Sequence, residues 1–154
     1  MQRKISVAEY DKNPDHGRGT IRIDNDFYDK FVGTWIWEKI GKKLSITFVQ
    51  KDISIPDGNE KTILKYMIGK FDYYVDGKLV PLEKEKSEIH SFSLNNPNQV
   101  IFEIDYRTKV WANSVKIELK YVSKNELRFQ YITSPTEEGN KRFPYPVDID
   151  LKRK

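Results

Sequence analysis

The 154-residue sequence contains no cysteine. Disulfide staples, thiolate nucleophiles and thiolate metal sites are excluded together. Histidine is nearly as scarce: His16 and His90 stand in dissimilar surroundings and give no metal-ligand spacing. No apolar run approaches the roughly 18 residues a membrane-spanning helix needs. The start, Met1-Gln2-Arg3-Lys4, leads into no apolar stretch, so no signal peptide is expected on this chain. The Gly-x-Ser-x-Gly elbow, the phosphate loop and the dinucleotide fingerprint are missing as well. Without alternating helical and strand patterns, a doubly wound parallel sheet is excluded.

Charge of one sign is also lacking. The net charge is +4, from 27 basic and 23 acidic residues. Bases and acids alternate, as in Glu83-Lys84-Glu85-Lys86, and only Lys152-Arg153-Lys154 clusters. A nucleic-acid binder gathers its basic residues, so no nucleic-acid partner is expected. Asp24, Asp26 and Asp29 lack the Gly and closing Glu of a calcium loop and are read as helix-capping residues. No metal and no cofactor is expected.

What is present is aromatic. Apolar residues make up 38% and aromatics 13%, from three Trp, nine Tyr and eight Phe. Large rings let a β-rich core form from few residues. Residues 1–23 are polar and turn-rich, and read as an N-terminal arm with a short edge strand at 20–23. A short helix follows, capped by Asp24 or Asn25, with Phe27 and Phe31 on one face and Gly33 closing it. From Trp35 the period becomes two. Trp35 and Trp37 lead through Gly41 to Leu44, Ile46 and Phe48. Residues 53–61 read as a loop. Leu64, Tyr66 and Ile68 form the next strand, Gly69 a bend or bulge, and Phe71, Tyr73 and Val75 resume before the Asp76-Gly77 turn. Further strands hold Ile89–Leu94, Val100–Tyr106, Val115–Tyr121, Leu127–Tyr131 and Val147–Leu151. Eight to ten short strands joined by tight turns predict an all-β, antiparallel up-and-down barrel filling one domain over 24–154.

Phe31-Val32-Gly33-Thr34-Trp35 resembles the opening of lipocalins and fatty-acid-binding proteins, the calycin-type barrels. The resemblance implies a lipocalin-like barrel whose Trp plugs one end. It also implies an Asp-Tyr pair, for which Asp105-Tyr106 is the candidate, and a late Arg over the Trp, for which Arg128 or Arg142 are candidates. The stretch from Phe31 to Val80, with Tyr66-Met67-Ile68-Gly69 and Tyr74-Val75-Asp76-Gly77, resembles an uncharacterised lipoprotein domain family of Bacteroidetes. That resemblance implies a cell-envelope or secreted location, the cytoplasm being the alternative, and no activity.

No catalytic constellation is visible, so a binding domain is expected in preference to an enzyme. Its candidate site is the barrel interior: Trp37, Tyr66, His90, Tyr106, Tyr121 and Tyr131. Such a lining suits a small apolar or neutral ligand oriented by tyrosine hydroxyls. Arg107 and Arg128 fall on the outward phase, which argues against a carboxylate held inside. The alternative is a structural or protein-interaction module of the envelope with a filled core. It would use Trp111, Phe143 and Tyr145 as surface contacts with an envelope protein. The chain is taken as a monomer.

Overall fold

The two-residue rhythm closes on itself. In the computed structural model, which describes residues 2–12, 19–57, 60–81, 88–93, 96–105, 114–132 and 146–154, eight antiparallel strands form a closed barrel. They are β3 (Gly33–Lys39), β4 (Lys42–Asp57), β5 (Glu60–Val75), β7 (Glu88–Ser93), β8 (Gln99–Asp105), β9 (Ser114–Ser123), β10 (Glu126–Tyr131) and β11 (Ile149–Arg153). A two-residue strand, β6 (Lys78–Leu79), pairs with the end of β5. Each barrel strand lies beside its predecessor, and β11 closes the ring against β3 with Lys152 opposite Ile36 and Arg153 opposite Trp35. Closure removes free sheet edges from the barrel.

The inner face carries the core: Trp35, Leu44, Ile46, Phe48, Met67, Phe71, Ile89, Val100, Phe102, Ile117, Leu119, Leu127, Phe129, Ile149 and Leu151. Rings from distant strands meet across the lumen. Phe48 of β4 stacks on Phe102 of β8 at 5.8 Å between centroids. Phe71 of β5 meets Phe129 of β10, on the opposite wall, at 6.1 Å. The barrel is filled at this level.

The arm does more than expected. Besides β2 (Thr20–Asp24), it supplies β1 (Gln2–Ser6) and a short helix, α1 (Val7–Lys12). These form a parallel β–α–β unit, and β2 pairs in parallel with Lys61–Ile63 of β5. The expected loop at 53–61 is correspondingly a strand ladder: β4 and β5 pair without a break from Lys42/Val75 to Asp57/Glu60. The missed signal was the alternation Ile53-Ser54-Ile55. The two long strands thus leave the barrel and make a four-stranded wing with β2 and β1.

Gly69 is neither bend nor bulge, since the β4–β5 register runs straight through it opposite Phe48. A Cβ there would lie 2.8 Å from Phe48 Cε1 and 2.9 Å from Ile89 Cγ1. The residue is glycine because a ring packs on its backbone.

Candidate functional site

The barrel has two ends, and among the described residues a helix caps only one of them; the other is termed the open end. A 3₁₀ helix, Asp26–Phe31, seals the first. Tyr28 and Phe31 are buried in the core, and burial pushes the Tyr28 hydroxyl up to about 12. Asn25 does not cap this helix with its side chain. Its buried amide instead donates to the Lys65 carbonyl at 2.6 Å and accepts from the Lys65 N–H at 3.2 Å. Asp24 does take the local role, accepting the Asp26 N–H at 3.3 Å.

Trp35 Nε1 donates to the Phe31 carbonyl at 2.9 Å, so the buried indole is satisfied. The Arg153 guanidinium lies 4.2 Å above its ring. The same group donates to the carbonyls of Lys30 at 2.8 Å, Val32 at 3.2 Å and Lys124 at 2.7 Å. It therefore satisfies carbonyls at the helix end and stacks on the Trp at once. The late Arg is Arg153, not Arg128, which faces outward to Asp150 at 3.3 Å. Arg142, the other candidate, lies outside the described residues. Gly33 turns the chain into β3 with φ +126°, a region that favours glycine.

The open end differs. Trp37, Tyr73, Tyr131 and Val147 are half-buried there and pack on the core from above. Tyr131 ends β10 and Val147 precedes β11. Burial, and next the Asp148 charge, push the Tyr131 hydroxyl up from its ordinary value, keeping it a neutral donor. Among the described residues these groups form a rim beyond the Phe71–Phe129 contact.

Only part of the expected interior set meets here. Trp37 and Tyr131 share the open end. Tyr121 faces inward at the sealed end, edge-on to Phe31 at 5.8 Å and under the Lys30 ammonium at 4.4 Å. Tyr66 and His90 are on the outer wall, stacked on each other at 5.9 Å. His90 stands opposite Ile68 and its side chain is 53% exposed. Their placement corrects the expected inward phase. Met67, Gly69 and Phe71 hold the inner face, and a strand has only one residue in two to give it. Tyr106, Trp111, Phe143 and Tyr145 lie outside the described residues, as does His16. Tyr73 and Val147 were missed as site residues, although Tyr73 carried the right phase.

Residues 2–143 match a family of unknown function, DUF6705. The chain belongs to that family. No curated protein and no solved structure matches it. The DUF6705 barrel is compatible with a lipocalin-like one in its strand count, antiparallel order and Trp-plugged end. Among the described residues no helix is long and apolar enough to cross a membrane.

Proposed function

We propose that this DUF6705 chain is a binding module without catalytic activity, and that it takes a small apolar or neutral group at the open end of its barrel. One observation carries the reading. Half-buried Trp37, Tyr73 and Tyr131 stand over a lumen that rings from opposite walls already fill. A guest therefore rests on the rim, beyond the level that Phe71 and Phe129 fill. Aromatic walls supply contact area at low entropic cost, and tyrosine hydroxyls supply orientation. The site assigns no charge to the guest. Location at the cell envelope is part of this proposal.

The filled floor favours a second reading, in which the same rim receives an apolar side chain of a partner protein. Titration with a neutral naphthylamine dye tests the first. Dye fluorescence should rise on the native protein and fall to background with Trp37→Ala and with Tyr131→Ala. Native protein that leaves the dye dark, or rim variants that bind it undiminished, would overturn the small-guest reading.

A further inference from the structure

The two hairpin tips at the open end have an unusual surface. Ile40, in the β3–β4 turn, is 100% exposed. Leu79, in the neighbouring hairpin, is 53% exposed. The turns are locked side by side, because the Asp76 N–H donates to the Gly41 carbonyl at 2.7 Å. Four lysines, Lys39, Lys42, Lys43 and Lys78, surround the two apolar tips, against the acids Glu38 and Asp76. Lys43 is 3.6 Å from Glu38. Lys39, Lys42 and Lys78 make no ion pair among the described residues. Lys154 adds a further cation, and Asp72 a further acid, to an open groove of about 770 Å³ that runs down the outer wall past Ile36 and Tyr74, leaving the cations in excess.

We infer that these paired tips dock the protein on an anionic lipid surface, with Ile40 and Leu79 entering the interface and the lysines lying against the headgroups. The inference goes beyond the binding reading above and does not require it. Two features favour a bilayer over a folded partner. Ile40 protrudes fully exposed from a turn and Leu79 from the two-residue strand β6 that leaves the adjoining turn, whereas a protein-binding hot spot is a central patch that its partner surrounds and dries. Cations flank the apolar tips, Lys39 and Lys42 beside the Ile40 turn and Lys78 beside Leu79, which matches the layering of charge above hydrocarbon at a membrane surface. Each lysine near an anionic surface strengthens binding about fivefold, so together they are strong enough to matter.

Flotation of the full chain with vesicles of phosphatidylcholine, alone or mixed with phosphatidylglycerol, tests it. The protein should float with the mixed vesicles and not with the neutral ones, and added salt should release it. Lys39→Glu with Lys42→Glu should weaken binding about tenfold or more. Ile40→Ser should weaken it several-fold with an unchanged circular dichroism spectrum, since a fully exposed side chain contributes nothing to the core. Equal binding to neutral vesicles, no binding to mixed ones, or indifference to these substitutions would overturn the inference. So would binding to soluble polyglutamate that matches vesicle binding and survives Ile40→Ser, which would assign the tips to an acidic chain.

Discussion

The hairpin of β4 and β5 is one continuous ladder, yet its two halves carry their apolar residues on opposite faces, with Ile53 and Ile55 of the wing left exposed. In the barrel half, the pairs Leu44/Tyr73, Ile46/Phe71, Phe48/Gly69 and Gln50/Met67 face the core. In the wing half the same face becomes charged at Asp52/Lys65. There Arg22 bonds Asp52 at 2.7 Å and Lys65 bonds Asp26 at 2.7 Å. The other face turns aliphatic, with Ile53/Leu64 and Ile55/Thr62, next to buried Ile5, Ile21 and Ile23 of the arm. No bulge separates the halves. Which face is apolar depends on the neighbour each half meets, not on the strands themselves. The barrel half meets the six other strands of a closed core, and the wing half meets two short parallel strands.

The seam between the halves is near Lys65, where β5 exchanges β7 for β2 as its partner. Asn25 covers the gap by giving Lys65 both bonds that a neighbouring strand would supply. Ser91 Oγ accepts the Met67 N–H at 2.9 Å on the other side of the seam. Three backbone groups at the change of partner, the Lys65 N–H and carbonyl and the Met67 N–H, are thus satisfied by side chains.

The comparison can be broken at four points, in falling order of effect. Trp35→Ala should cost about 3–5 kcal/mol in chemical denaturation, through a cavity and the loss of Arg153's platform. A cost under about 1 kcal/mol would show that the sealed end is not the anchor of the barrel. Gly69→Ala should cost about 2 kcal/mol by forcing the Phe48 ring from its seat. Unchanged stability would mean that the ring moves freely, against the close packing described.

Asn25→Ala should cost about 1–2 kcal/mol, confined to the seam, because both Lys65 backbone groups lose their partner. Amide exchange should quicken in β2 and at Lys65 while Leu119 and Phe129 keep their protection. Equal acceleration in the barrel would show that wing and barrel open as one unit. Acid gives the smallest effect. The Lys65 hydrogen bond first, then that of Lys4, holds the Asp26 carboxyl down at about 2. Its folded value lies below the unfolded one near 4. The stabilisation is therefore complete above that pH and is lost as pH falls through about 2. The groups are half exposed, so Asp26→Asn should cost under about 1 kcal/mol at neutral pH and flatten the acid response of the wing. An acid profile identical in Asp26→Asn would remove this account.

Much of the barrel was legible. Val115–Tyr121 and Leu127–Tyr131 alternate cleanly, and their apolar positions Ile117, Leu119, Leu127 and Phe129 are buried in the core. Residues 64–71 were ambiguous for a physical reason. Tyr66, Met67 and Ile68 are consecutive and apolar, so period two assigns no face. The structure buries Ile68 on the outside and Met67 on the inside. This choice turned Tyr66 and His90 outward and moved the candidate site to the open end.

The alternating aromatics, the turn residues and Gly33-Thr34-Trp35 by themselves determined an antiparallel barrel with one plugged end, because period-two patterning and turn chemistry act over a few residues. Tertiary structure decided that Arg153 stacks on Trp35, that the arm joins β5 in parallel, and that the lumen is filled between Phe71 and Phe129. Each of these is a contact between residues far apart in the chain, where only closure of the sheet sets the distance.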